Sequence, residues 1–184
     1  MVKIGIFDIE LIPRKSWGRS IKSIARGKIG FKENMVKIEP KLAKRFRKAW
    51  MEIKEREIKR ARHRCEMCGE SGSLHVHEVW EYDDSTLTQK LKGYIVLCDS
   101  CHLVYHLGFA GILGRMDEVI WHIIEVNKNH GVDLTLEQVV MAISEVLNQW
   151  AHRSEKRWRI DVSKERDLGD LIKTANRLLN EMLK

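Results

Sequence analysis

Two Cys-x-x-Cys pairs, Cys65/Cys68 and Cys98/Cys101, are separated by 29 residues and hold all four cysteines of the 184-residue chain. Each short turn aims two thiolates at one centre, and two such turns brought together form a tetrahedral sulfur site suited to zinc. A closed site of this kind offers no position to a substrate, so its task is to clamp a segment that has little core of its own. The first twelve residues, MVKIGIFDIELI, would pass for the apolar part of a leader if Asp8 and Glu10 did not interrupt them. No secretory leader is expected, and no apolar run is long enough to span a bilayer. The expected compartment is therefore the reducing cytoplasm, where paired cysteines bind metal rather than pair as disulfides.

Composition sets the class. Hydrophobic residues are 43% and charged residues 32%, which fits a soluble globular chain and excludes a disordered one. The net charge is +7, but it is unevenly spread. Residues 1–64 carry 20 Lys/Arg against 7 Asp/Glu, a local charge of +13, whereas residues 65–184 carry 13 against 19, a local charge of −6. One end of the chain is built to meet a polyanion. Nucleic acid is the first candidate, and an anionic membrane surface is the second.

Hydrophobic periodicity divides the chain into four parts. Residues 1–40 read as an extended basic arm, in which Arg14, Lys15, Trp17 and Arg19 are candidates to enter a groove or stack on a base. Residues 41–64 form a basic amphipathic helix with Leu42, Phe46, Trp50, Ile53 and Ala61 inward and 11 basic against 3 acidic side chains. Its nucleic-acid contacts are assigned to Lys44, Arg45, Lys48, Arg56, Lys59 and Arg60, which would bind phosphates without reading sequence. Residues 65–115 carry the cysteines and read as strand (74–80), loop (81–88), strand (93–97) and helix (99–107). Residues 116–184 are helical, with a capping box at Thr135 and Gln138, a last helix capped by Ser163, and Trp121, Trp150 and Trp158 as core. The fold class is α+β.

Histidines crowd around the cysteine pairs. His102 and His106 are four apart on the expected helix, so they share a face and can chelate one ion. His77, on the strand before them, can supply a third imidazole. Three protein ligands leave open positions for water and phosphate, which a catalytic metal needs.

Cys65-Glu-Met-Cys68, the strand Leu74-His-Val-His-Glu78 and Leu97-Cys-Asp-Ser-Cys-His102 resemble the zinc-containing branch of the HNH endonuclease family. The resemblance covers roughly residues 60–110. It implies a small ββα-metal finger with a structural zinc at Cys65, Cys68, Cys98 and Cys101, flanked by the N-terminal basic arm and helix and by the C-terminal helices. It implies a second divalent cation (Mg²⁺, Mn²⁺, Ni²⁺ or Zn²⁺) at His77, His102 and His106, and hydrolysis of nucleic-acid phosphodiesters, DNA in preference to RNA. Aligned on the leucine-anchored strand, His77 takes the family's ligand position and Glu78 its general-base position; shifted by one residue, His77 becomes the base and Val76 cannot ligate. The catalytic set is then His77, Glu78, His102 and His106. The family's middle Asn has no counterpart, since no Asn occurs between Asn34 and Asn127. Asp83, Asp84, Thr88 and Gln89 are the candidates to replace it. Two alternatives accompany this reading: a non-catalytic zinc-stabilised nucleic-acid-binding module with a degenerate site, and a protein-interaction module that uses its C-terminal helices as a dimer surface.

Overall fold

Val2, Ile4, Phe7 and Ile9 are buried, while Lys3 between them is exposed. Such alternation suits strands with one buried face, and the computed structural model, which describes residues 2–13, 21–29, 36–165 and 170–181, closes them into an antiparallel hairpin. Its strands are β1 (Val2–Ile4) and β2 (Phe7–Ile9), with Val2 opposite Ile9. The further elements are α1 (Ile21–Ala25), β3 (Lys28–Ile29), β4 (Val36–Lys37), α2 (Pro40–Arg60), β5 (Leu74–Asp83), β6 (Thr88–Cys98), α3 (Asp99–Val104), α4 (Leu107–Ile112), α5 (Met116–Asn129), α6 (Leu136–Ser154), β7 (Arg159–Asp161) and α7 (Asp170–Glu181). The fold is mixed helix and sheet, α+β. The described parts of residues 1–40 thus hold two antiparallel strand pairs and a short helix where an extended arm was expected. Arg14, Lys15, Trp17 and Arg19 lie outside the described residues.

The chain divides into two units, one built from Met1–Leu11, Glu57–His77 and Tyr94–His152, the other from Ile12–Arg56, Glu78–Gly93 and Arg153–Lys184. In the first unit one apolar cluster joins the β1–β2 hairpin to Cys65, Met67, Leu97, the α3–α4 residues Leu103, Val104 and Leu107, and the inward faces of α5 and α6. α3 packs on both α4 and α5. On α5 the inward face is Val119, Ile123 and Val126, so Trp121, expected in the core, turns outward with 61% of its surface exposed. The capping box of α6 forms as expected: Gln138 N–H donates to Thr135 Oγ1 at 3.2 Å and Thr135 N–H to Gln138 Oε1 at 2.8 Å.

In the second unit Glu39 caps α2, accepting the N–H groups of Lys41 and Leu42 at 3.0 and 2.9 Å, with Pro40 at the first helical position. Ala43, Phe46, Ala49, Trp50 and Ile53 form its buried stripe. The sheet is ordered β5-β6-β7, with β7 parallel to β6 and Gln89 opposite Ile160. Residues 84–87 link β5 to β6, a connection too short for a parallel crossover. Both strands extend beyond the sequence expectation; in β6, Gln89 and Leu91 alternate inward with Lys90 and Lys92 outward, and a polar Gln hides that pattern. Trp158 is fully buried, donates Nε1–H to the Arg153 carbonyl and meets the Tyr82 ring edge-on at 5.0 Å. Beside β7, α7 presents two asparagines. Asn180 accepts the Ile160 N–H at 2.9 Å and donates to the Ile160 carbonyl at 3.0 Å, and Asn176 accepts the Val162 N–H at 3.0 Å. The described part of the last helix is Asp170–Glu181; Ser163 lies in a turn, its N–H donating to Asp161.

One side chain organises the N-terminal hairpin. Asn127 on α5 is fully buried; its Oδ1 accepts the Ile6 N–H at 2.8 Å, and its Nδ2 donates to the carbonyls of Ile123 at 2.8 Å and Ile4 at 3.4 Å. Gly5 has φ +60°, and a Cβ there would stand 1.8 Å from Asn127 Oδ1. Position 5 must lack a side chain for the amide to reach the turn. Asn127→Ala is expected to lower stability by about 1–3 kcal/mol, the cost of orphaning buried backbone polar groups. Urea unfolding reads this as a lower midpoint, and Gly5→Ala should shift it in the same direction.

Candidate metal centres

The Cys65–Glu70 turn is fastened to β6 by hydrogen bonds that need no metal. Glu66 N–H donates to the Val96 carbonyl at 2.9 Å, and Val96 N–H donates back to the Glu66 carboxylate at 2.7 Å. The turn closes on itself through Cys65 N–H to the Glu70 carbonyl and Gly69 N–H to the Cys65 carbonyl, at 2.8 and 2.9 Å. Arg60, at the end of α2, grips Glu66 with two bonds of 2.6 and 2.8 Å and also binds Glu57 at 2.6 Å. Burial opposes the charge on Glu66, but Arg60 and the Val96 N–H outweigh it and hold the carboxyl below its ordinary range.

This docking sets Cys65 and Cys68 against Cys98 and Cys101, all four thiols free and their sulfurs within 4.8 Å of one another. Cys68 Sγ lies 3.6 Å from Cys98 Sγ. A disulfide would need about 2.05 Å, whereas sulfurs bound at about 2.3 Å in a tetrahedron stand about 3.8 Å apart. The spacing fits a metal. So does the electrostatics: a hydrogen bond from the Cys101 thiol holds Cys65 down to about 4, and burial pushes Cys98 up to about 12. Cys101 is driven upward by its bond to Cys65 and by burial. Four thiolates this close repel one another, and a divalent cation removes that repulsion. The four cysteines can hold a structural metal ion. His122, unassigned from sequence, brings Nε2 to 3.1 Å from Cys101 Sγ. Burial keeps its imidazole below the usual histidine value, which leaves a neutral ring able to donate to that sulfur.

His77 on β5, His102 on α3 and His106 just beyond α3 form a second group, each with a ring nitrogen within 4.8 Å of the others. His102 Nε2 and His106 Nε2 are 3.1 Å apart. Nitrogens bound at about 2.1 Å lie about 3.0 Å apart at a right angle and about 3.4 Å apart at the tetrahedral angle, so the pair fits a shared cation. The expected single helix over 99–107 is broken at Tyr105–His106, where His106 caps α4 with φ −121°. The break still leaves the two imidazoles together. His77 is buried and rests its ring on Tyr105 at 5.1 Å, while His102 and His106 are half-buried.

The remaining site expectations fall elsewhere. Glu78 is buried in the second unit, where its Oε1 accepts the Lys22 N–H at 3.4 Å. Neighbours on a strand point to opposite faces, so His77 and Glu78 diverge. Asp83 is bound by Ser85 and Thr86 in the turn after β5, and Asp84 pairs with Arg153 and Lys156 at 3.0 and 3.1 Å. Thr88 binds Thr86, and Gln89 is fully buried. Of the basic residues, Lys44, Arg45, Lys48, Arg56, Lys59 and Arg60 are all exposed. Arg56 nevertheless pairs with the buried carboxylate of Glu165 at 3.1 Å, and Arg60 serves the cysteine turn, so both carry structural bonds.

Sequence reasoning passed over His75. It shares a strand face with His77, two residues on, and its ring stacks on His102 with centroids 4.5 Å apart and planes 3° from parallel. Its Nε2 lies 2.5 Å from Asp99 Oδ1, and that bond holds the Asp99 carboxyl below its ordinary value. The period-two His-x-His pattern was the available signal.

Comparison of the chain with protein-family models, curated proteins and solved structures finds no match. No helix among the described residues is long and apolar enough to cross a membrane.

Metal analysis of the purified protein is expected to give zinc retained by wild type and lost from Cys101→Ser. Stripping it with a chelator should lower the thermal midpoint. Glu66→Ala removes the turn's anchor, so zinc should pass to a chromogenic chelator faster than from wild type.

Proposed function

We propose that the chain is a metal-dependent endonuclease of the HNH type, a ββα-metal finger that hydrolyses phosphodiester bonds in DNA in preference to RNA. The observation that carries this reading is the convergence of His77, His102 and His106, two of them half-buried and open to solvent, beside a closed four-cysteine site. Three imidazoles hold a cation while leaving it positions for other ligands, which a purely structural site does not require. Zinc at Cys65, Cys68, Cys98 and Cys101 holds β6 and α3 in register, so that His102, one residue after Cys101, is presented to His77. A divalent cation, when bound, neutralises charge on the scissile phosphate and on the leaving oxygen. The three imidazoles fix where that charge sits. Exposed lysines and arginines of α2, with Lys44, Arg45, Lys48 and Lys59 foremost, supply sequence-independent phosphate contacts. Arg56 and Arg60 take a lesser part because their guanidinium groups are already paired.

A second reading, a nucleic-acid-binding module with a degenerate site, is favoured by one observation: Glu78, which the family resemblance puts in the base position, is buried and accepts a backbone N–H. Supercoiled plasmid and single-stranded RNA incubated with Mg²⁺, Mn²⁺, Ni²⁺, Zn²⁺ or chelator separate the two. The expected result is cleavage that needs a cation and falls in His102→Ala by more than the roughly 10–100-fold that loss of an outer-shell partner costs. Retarded mobility without cleavage under every ion would establish the binding module instead. Charge reversal at Lys44, Arg45 and Lys48 together should weaken DNA binding at low salt and flatten its dependence on salt concentration.

A further inference from the structure

Three cations crowd together in the second unit, at the seam between α1 and α2. α1 is held at both ends. The Lys22 N–H donates to Glu78 Oε1 on β5 at 3.4 Å, and Arg47 Nε on α2 donates to the Ala25 carbonyl at 3.5 Å. Ile21, Ile24 and Ala25 are buried, so the helix is packed as well as bonded. Arg26 follows Lys22 by four residues, and its N–H donates to the Lys22 carbonyl at 3.3 Å. Residues at that spacing are neighbours, which sets two like charges side by side. Lys54 supplies the third. It lies two turns beyond Arg47 on α2, hence on the side that reaches α1, and its charge acts on Lys22.

The charges at this seam do not cancel. Among the described residues Glu78 is the carboxylate that acts on Lys22, while Arg26 and Lys54 act against it, so three positive charges meet one negative. Neither Arg26 nor Lys54 pairs with a carboxylate among the described residues. Burial pulls the Lys22 ammonium below the ordinary lysine range, Arg26 and Lys54 pull the same way, and Glu78 opposes them. Lys22 and Lys54 are half-buried and Arg26 is exposed, so the seam is open to an incoming anion on the Arg26 side. An anion there relieves the repulsion and accepts charge-assisted hydrogen bonds from two ammonium groups and a forked guanidinium. A phosphodiester fits, because it spreads one negative charge over two non-bridging oxygens. α2 carries nine basic side chains, so a polyanion lying along it meets the seam as part of the same surface.

We propose that Lys22, Arg26 and Lys54 form a binding site for one backbone phosphate of nucleic acid. The assignment rests on the nucleic-acid part of the function proposed above and is independent of cleavage. Glu78 then has a task other than activating water: it ties α1 to β5 and tempers the repulsion among the three cations.

The test uses the full chain and a fluorescein-labelled DNA duplex of about 20 base pairs, with no divalent cation added and zinc content checked in every variant. Anisotropy titrations over a range of salt concentrations give the slope of log affinity against log salt. Lys22→Gln combined with Lys54→Gln keeps the Lys22 N–H for Glu78. It is expected to bind DNA more weakly at low salt and to reduce the slope by about 0.9, the value for one phosphate no longer neutralised. Lys173→Gln, on α7, should change neither. In wild type, DNA should protect Lys22 and Lys54 from acetylation by an N-hydroxysuccinimide ester, read by mass spectrometry, and leave Lys173 unprotected. An unchanged slope in the double variant would overturn the site and leave binding through Lys44, Arg45 and Lys48 standing. So would an equal loss of slope in Lys173→Gln, which marks a diffuse charge effect, or equal labelling of Lys22 with and without DNA. A wild-type protein that binds no DNA at low salt would overturn both the site and the nucleic-acid reading.

Discussion

The candidate centres depend on the repulsion that four thiolates at this spacing would feel and on what relieves it. Left to themselves, Cys65 ionises readily while Cys98 and Cys101 are driven the other way. A doubly charged cation allows every sulfur to become a thiolate and converts repulsion into cohesion. The protein lowers the entropic cost of that assembly by docking the first cysteine turn on β6 through reciprocal Glu66–Val96 hydrogen bonds, with Arg60 neutralising the glutamate. Hydrogen bonds and ion pairs thus place the sulfurs, and the sulfurs then define the segment that carries the histidines.

Much of this was legible in the residues themselves. The doubled Cys-x-x-Cys spacing identifies the four sulfurs, and the positions of His77, His102 and His106 mark them as a group. A helix over 116–129 and one from the Thr135–Gln138 box through Trp150 followed from apolar periodicity and the cap; the second continues to Ser154. What escaped depended on tertiary context. Gln89 sits at an inward strand position where a polar residue masks the alternation, so β6 was read too short. Trp121 has the composition of a core residue, but its angular position on α5 faces away from Val119 and Ile123. β7 is three residues long and is defined by its parallel partner, which no local pattern announces.

The charge count shows a similar division between pattern and context. Eleven basic side chains between residues 41 and 64, nine of them on α2, are visible in the sequence, but their tasks are not. Arg56 answers a buried glutamate 109 residues away, and Arg60 secures the cysteine turn. A carboxylate held in low-dielectric surroundings demands a permanent, forked cation, and arginine meets that demand better than lysine. Residues that look interchangeable in a basic run are therefore split between internal scaffolding and exposed surface.

The asparagines of α7 carry a consequence for how the molecule behaves among copies of itself. A strand at the margin of a sheet offers a row of open backbone groups, which is a template for uncontrolled association. Asn176 and Asn180 imitate the peptide groups of one more strand and occupy that row at Ile160 and Val162. A helix thereby ends the sheet chemically as well as sterically, and β7 is denied to any neighbouring chain as a seed for aggregation.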